Sequence, residues 1–422
     1  MQIFKFGGAS VKDAESIKNI SFILRTFAAE PTVTVISAMG KTTNKLEALA
    51  NAYFYKEGDV QELFNDVKVA HFSILDELFP NKNVTVHNDL ENVFVELLWA
   101  LEEEPAFTYD FHYDQIVSQG EVLSTKIISA YLNEVGINNK WLDVRGIIQT
   151  DNTYREGKVD YTLSQTLAEK ELMPLLKTNN FIVTQGFLGG TSENYTTTLG
   201  REGSDYTAAL LAYFTNAKQV VIWKDVPGVL NADPKYFKNA KKIDELNYQD
   251  AIELTYYGAS VIHPKTIKPL QNKNIPLFVK SFLNPNDVGT VIKASEKRNS
   301  TTSYIFKVNQ LLLSIQSKDF SFIAEDNLGA IFTLLSKNHV HVNMMQNSAI
   351  SFSVCVDNDD YKIEPLLNDL QKQFKVLYNK NVELMTVRHY NNDIIANLIE
   401  NKLILIEQRS RNTLQMVMKE LS

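Results

Sequence analysis

Cysteine is almost absent. The 422 residues hold a single one, Cys355, which excludes an internal disulfide framework, and no Cys/His cluster offers a zinc site. Cys355 lies in the alternating run SFSVCVD and is expected to be a small buried residue. Basic charge is also short, with a net charge of −8 and a pI near 5.5. Non-specific nucleic-acid binding needs a basic face, so that class is disfavoured, while a local cationic pocket is not. No apolar run approaches membrane-spanning length, and the first residues lack the basic-then-apolar pattern of a secretory leader. A cytoplasmic, soluble protein with no membrane or nucleic-acid partner is therefore expected. Prolines number only 11 and hydrophobic residues make up 44%, so there is material for real cores and for two or three domains.

Residues 2–293 alternate strand-like and helix-like patterns. TVTVISAM, FIVTQGFLGG, QVVIWKDVPG, IPLFVKSF and GTVIKA read as strands, several ending in glycine-bearing turns. A largely helical stretch runs to about Gly136, broken near Pro80 and Pro105, and GSDYTAALLAYF is an amphipathic helix. Such alternation predicts an α/β fold with a parallel-rich sheet covered on both faces. Ligands on these sheets bind beyond the strands' carboxyl ends. SEKRNSTTS has no apolar spacing and reads as a linker. After it, FKVNQLLLSIQS, LGAIFTLLSKN, HVHVNMM, ISFSVCVD, KIEPLLNDLQKQF and VELMTVRHY predict one β-α-β-β-α-β unit. The tail, Asn391 to Ser422, reads as two strands, IIANLI and KLILIEQ, then a helix, NTLQMVMKEL. It has the look of a second such unit without its first helix. The expected domains are thus residues 1–294, 304–390 and 391–422.

The chain opens MQIFKFGGAS. Gln2 to Phe6 predicts a strand, Gly7-Gly8 stops it, and Val11 to Ala29 carries helical spacing with Asp13 or Ser10 as its cap. Strand, glycines and helix can face an anion with backbone N–H groups, and Lys5 adds a mobile cation. These ten residues read equally well as a tight turn between packed elements. SAMGKTTNKL by itself is a polar turn capping the next helix, and Glu121 in SQGEVLST by itself is a solvated helical glutamate. TTTLGREGSDYTAALLA carries more information. Ser204 and Asp205 serve as a helix cap, but capping does not require Arg201, whose guanidinium can hold a carboxylate with two bonds.

KFGGAS, SAMGKTTNKL, SQGE, TQGF, TTTLGREGSDYTAALLA and KDVPGVLNADPK, in this order and spacing, resemble the aspartate kinases over nearly the whole chain. The resemblance implies the amino-acid kinase fold followed by ferredoxin-like ACT modules. It implies transfer of the γ-phosphoryl group of ATP, with Mg²⁺, to the β-carboxylate of L-aspartate. The product is 4-phospho-L-aspartate, the first step toward lysine, threonine and methionine. By the same resemblance Lys5 and Asp205 are the catalytic pair, Lys5 contacting the transferring group and Asp205 orienting nearby cations and donors. Thr43, Glu121, Arg201, Gly203 and Ser204 hold L-aspartate, with Glu121 on the ammonium and Arg201 on a carboxylate. Lys5, Phe6, Gly7, Gly8, Ser10, Lys224, Asp225, Gly228, Leu230, Lys235, Ser260 and Val261 bind the nucleotide. No protein metal ligand is implied. A homodimer or higher homo-oligomer through the ACT-like modules is.

Several positions depart from that pattern. Ser260 in YGASVIHP stands where many relatives carry a lysine, a phosphate-facing cation for which Lys224 or Lys265 is the expected substitute. Lys235 replaces a frequent arginine and Leu230 a frequent tyrosine. In lysine-inhibited relatives, the segment matching HVHVNMMQNSA offers acidic groups where Asn343 and Ala349 are neutral, so weak or absent inhibition by lysine is expected. Two alternatives stand beside the leading expectation. One is a sister amino-acid kinase acting on glutamate or another acid; the other is an amino-acid sensor that keeps the fold without turnover.

Overall fold

The computed structural model describes residues 1–421 apart from 82–83, 259–261, 297–300, 320, 391–394 and 396–397. Two compact units emerge. The first comprises Met1–Val229, Lys242–Ile252 and Val261–Arg298; the second comprises Leu230–Lys241, Glu253–Ser260 and Asn299–Ser422.

In the first unit the strands are β1 (Gln2–Phe6), β2 (Thr32–Ile36), β3 (Asn139–Leu142), β4 (Phe181–Gln185), β5 (Leu188–Gly190), β6 (Thr196–Thr198), β7 (Val220–Lys224), β8 (Glu245–Asn247), β9 (Leu277–Ser281) and β10 (Thr290–Lys293). Helices α1 (Ala14–Phe27), α2 (Thr42–Tyr55), α3 (Val60–Leu78), α4 (Val84–Glu102), α5 (Tyr109–Val117), α6 (Gln119–Glu134), α7 (Tyr161–Leu167), α8 (Met173–Thr178), α9 (Gly203–Thr215), α10 (Tyr248–Tyr257) and α11 (Pro264–Asn272) connect them. The main sheet runs β3-β4-β2-β1-β7-β9-β10-β8. All its pairings are parallel except β9 with β10. Every residue of β1 and β2 is buried, as strands covered on both faces require. Asp13 caps α1, its carboxylate accepting from the Ser16 N–H at 2.8 Å. On the inward side, Ile17, Ile20, Ile23 and Leu24 of α1 are fully buried, the spacing of one helical face. Trp223 of β7 stacks on Phe6 at 6.2 Å and meets Phe4 edge-on at 5.7 Å. This register brings the carboxyl ends of β1, β2, β4 and β7 to one edge, where the glycine turns gather.

The second unit is built on β11 (Ser303–Ser317), β12 (Val342–Asn347), β13 (Ser351–Asp357), β14 (Phe374–Arg388), β15 (Lys402–Arg409) and β16 (Thr413–Glu420), with α12 (Glu325–Lys337) and α13 (Asp360–Gln373). The first β-α-β-β-α-β unit forms as the pattern predicts. Leu311, Leu313 and Ile315 of β11 meet Ile331 and Leu335 of α12 and Ile363, Leu366 and Leu370 of α13 in one apolar layer. The tail corrects the sequence expectation. NTLQMVMKEL is strand, with Thr413–Glu420 antiparallel to both β14 and β15. Ile395 is helical rather than extended; part of IIANLI lies outside the described residues. Leu414, Met416 and Met418 alternate into one cluster while Val417 enters another. A strand buried on both faces outweighs the helix propensity of Leu and Met. The sheet is one continuous array, β12-β13-β11-β14-β16-β15.

Two earlier segments fold with this sheet. The Tyr304 N–H donates to the Asn231 carbonyl at 2.7 Å, and the Asn231 amide donates to the Thr302 carbonyl at 2.9 Å. Phe237 stacks on Tyr304 at 5.0 Å. Glu253 pairs with the buried Arg388 guanidinium. A single cut near residue 294 therefore does not describe the compact units.

Candidate active site

At the carboxyl end of β1 the chain turns through Gly7 and Gly8 because nothing larger fits. A Cβ on Gly8 would sit 2.9 Å from the Gly40 carbonyl and 3.0 Å from that of Ala38. The Gly40 N–H donates to the Gly8 carbonyl at 3.0 Å, and the Ser37 N–H to that of Phe6 at 3.1 Å, so the β1 and β2 turns are clasped. Ser10 reaches the Trp223 carbonyl at 3.4 Å. The Phe6 ring points into the core against Trp223, so only its backbone faces the turns. From β4 the chain passes Gly186, where a Cβ would lie 2.4 Å from that of Ser204. That contact packs the start of α9 on the same edge.

Here charge concentrates. The Lys5 ammonium stands 2.6 Å from one Asp205 oxygen, and the Lys224 ammonium 3.2 Å from the other. Asp205 is fully buried. Burial alone would raise its carboxyl, but the Lys5 and Lys224 ammonium groups outweigh that and hold it below the usual range. Burial also opposes the charge on Lys224; the Asp205 and Glu202 carboxylates overcome it and raise its ammonium. Glu202 lies 3.5 Å from Lys224. It occupies the left-handed position before α9, φ 57°, where glycine is ordinarily favoured. Burial raises its carboxyl above the ordinary value.

Glu121 enters from the first turn of α6 and is buried. One oxygen accepts from the Ala38 N–H at 3.1 Å, and among the described residues the other has no hydrogen-bond partner. Burial pushes its carboxyl up to about 8, against the opposing pull of the Ala38 N–H and Lys5. An unpartnered buried carboxyl is costly unless something arrives to pair with it. A cation is the natural guest.

Lys5, Gly7, Gly8, Ser10, Glu121, Gly203, Ser204, Asp205 and Lys224 thus lie at one edge of one unit. Thr43 is half-buried on the first turn of α2, Arg201 is exposed just ahead of α9, and Asp225 is exposed beyond β7. Gly228 is buried with φ 147°, and a Cβ there would press 2.5 Å from the Thr290 hydroxyl. Leu230 and Lys235 belong to the second unit. Ser260 and Val261 lie outside the described residues. Of the two candidate replacement cations, Lys224 stands in the cluster, whereas Lys265 faces Glu156 at 4.0 Å. The motifs did not single out Glu202, whose signal was a charge lying between Gly200 and Gly203. They also passed over Asp114, a wholly buried acid seven residues before Glu121.

Among the described residues no helix is long and apolar enough to cross a membrane. The sequence model of the Amino acid kinase family matches residues 1–281. Lysine-sensitive aspartokinase 3 of Escherichia coli (strain K12) is 34% identical over 363 residues, 84% of this chain and 78% of that protein. The chloroplastic aspartokinase 2 of Arabidopsis thaliana is 32% identical, covering 96% of this chain and 75% of that one. A crystal structure of E. coli aspartokinase III in complex with aspartate and ADP superposes with a TM-score of 0.84 at 27% identity, covering 99% of this chain and 96% of that one. This chain belongs to the amino acid kinase family and, within it, to the aspartokinases, ATP-dependent enzymes that catalyse the first step in making the aspartate-derived amino acids.

Proposed function

We propose that the Lys5–Asp205–Lys224 cluster receives the phosphates of Mg-ATP and that Glu121, Thr43, Arg201, Gly203 and Ser204 receive L-aspartate. The observation that carries this reading is the lysine pair, Lys5 buried and Lys224 half-buried, that shares one buried aspartate, beside a glutamate with an oxygen unpartnered among the described residues. The acceptor's β-carboxylate is ionised at neutral pH, its pKa being about 3.9. No general base is needed. One carboxylate oxygen attacks the γ-phosphorus as the bond to the β-phosphate bridging oxygen breaks, ADP departs, and 4-phospho-L-aspartate forms. What remains for the protein is alignment and neutralisation of the charge on the migrating group.

Lys5 supplies a cation at the end of β1, and Asp205 holds its ammonium and that of Lys224 in place. Arg201 pins a substrate carboxylate, and the backbone through Gly7, Gly8 and Ser10 lines the phosphate side. In the empty site Glu121 is largely protonated at pH 7; the substrate's ammonium restores its charge and fills its open oxygen. Mg²⁺ keeps several waters and needs only one or two carboxylates; with both Asp205 oxygens held by the lysines, the Glu202 carboxylate is the hard oxygen donor that would hold it. When bound it supplies neutralisation of phosphate oxygens. Within the first unit, Asp225 and Gly228 complete the nucleotide side on this proposal, and a second copy of the chain docks through the edge strands β12 or β15.

Hydroxylamine trapping with Mg-ATP tests the reading. Aspartate-dependent hydroxamate is the expected result. Glutamate-dependent product would instead indicate a sister kinase, and no product with either acid would indicate a sensor without turnover.

A further inference from the structure

Asp114 lies near the carboxyl end of α5, fully buried, and none of the roles above uses it. Its bonds all go to the segment that leads to the acceptor residues or to that segment's support. The Thr198 N–H donates to Oδ2 at 2.9 Å, and the Thr198 hydroxyl donates to Oδ1 at 2.7 Å. The Arg155 N–H donates to Oδ2 at 2.9 Å. Gly157, two residues on, donates to the Thr198 carbonyl at 2.9 Å, so Thr198 is fixed on both sides of its backbone. The next residue, Leu199, donates to the Phe187 carbonyl at 2.8 Å. Arg201 follows three residues after Thr198. On the other side, α5 runs almost directly into α6, with the Ser118 N–H donating to the Asp114 carbonyl at 3.2 Å. Seven residues along, the same strut places Glu121 in the site.

A buried carboxylate is expensive to keep, and a threonine hydroxyl plus two N–H groups are an expensive set to leave unpaired. Three bonds that tie one helix to the end of β6 and to the loop at Arg155 hold a distance better than a surface contact would, because such networks have few alternative arrangements. We propose that Asp114 is a positioning residue that fixes the distance between Glu121 and Arg201, and hence the length of the acceptor amino acid. The inference rests on the proposed roles of Glu121 at the ammonium and Arg201 at the carboxylate. Given those roles, α5–α6 acts as a ruler: Glu121 is rigidly part of it, and Asp114 clips the guanidinium-bearing turn to its other end. Loosening the clip lets the turn drift, which costs aspartate its fit and a longer diacid much less.

Steady-state kinetics of the full chain test this. Asp114→Ala is expected to raise KM for aspartate at least tenfold, leave KM for ATP within twofold, and narrow the aspartate-over-glutamate preference in kcat/KM. Asp114→Asn keeps an oxygen for the two N–H groups and can donate to the Thr198 hydroxyl, so it should return KM for aspartate to within about threefold of wild type. Thr198→Val removes one bond with little change in shape and should raise KM for aspartate about threefold; it carries the test should the alanine variant fail to fold. An unchanged KM for aspartate in the variants that fold, or equal rises for both substrates, would overturn the proposal. Arg201→Ala separates the two levels. If it leaves KM for aspartate unchanged, the underlying assignment fails; if it raises KM while the Asp114 and Thr198 variants do not, the ruler alone fails.

Discussion

Polar groups are buried in both units, but they are finished to different degrees. In the second unit the Lys307 ammonium donates to the Asn343 side-chain oxygen at 2.8 Å. The Asn343 amide donates to Gln310 at 2.8 Å and to Asp357 at 3.0 Å, and the Gln310 amide donates to Asp357 at 2.9 Å. That circuit closes on itself. At the tips of β1 and β7, by contrast, Glu121 keeps an open oxygen and two lysines crowd a single aspartate. Closed networks hold a fold; open ones wait for a ligand, and the cost of leaving them open is borne by the rest of the structure.

The largest expected effect comes from the open side. Lys5→Ala should lower kcat by about 10²–10³ in a coupled ADP-release assay, as loss of one preorganised donor to developing charge does. A kcat within threefold of wild type would place the proposed phosphate cradle elsewhere.

Next comes Glu121. Its carboxyl is raised to about 8 in the folded chain, against about 4.3 in a free one. The folded state therefore binds more protons across that window, and the stabilisation present in acid is lost as pH rises through it, at most ~1.4 kcal/mol per pH unit. Thermal melts from pH 5 to 8 should show a steeper decline for wild type than for Glu121→Gln. Saturating aspartate should recover part of the loss at pH 8 in wild type and none in the variant. Equal slopes would contradict the open oxygen.

Breaking the closed circuit should do the reverse. Asn343→Ala leaves Lys307, Gln310 and Asp357 each short of a bond and is expected to cost about 1–3 kcal/mol in urea unfolding, with kcat changed less than twofold. The smallest effect is a null. Because the Asn343 side chain is already engaged within the sheet, isothermal titration with L-lysine should show no micromolar binding. A micromolar isotherm would erase the contrast between the two units.

Much of the fold was legible because periodicity and glycine placement carry it. β1, its glycines and α1 follow from ten residues and one apolar helical face. The site was legible where a motif concentrates unusual residues, as at Lys5 and at Arg201 to Asp205. Glu121 was named only through a resemblance, since burial on an interior helix is invisible in a local window. Asp114 escaped for the same reason, its partner Thr198 lying 84 residues away. The final strand was misread because Leu and Met favour helices, although Leu414, Met416 and Met418 alternate with a period of two and are all buried. The second unit's claim on Leu230–Lys241 depends on pairing with Thr302 and Tyr304, far along the chain, which local pattern does not encode.

The solitary thiol has a practical side. Cys355 is 1% exposed, and burial, with help from Asp357, pushes its thiol up to about 12. Scarcely any thiolate exists at physiological pH, so the native chain should be inert to maleimides and to air. A cysteine introduced at any exposed position can then be tagged against a silent background, giving each unit its own fluorophore without first erasing a native residue.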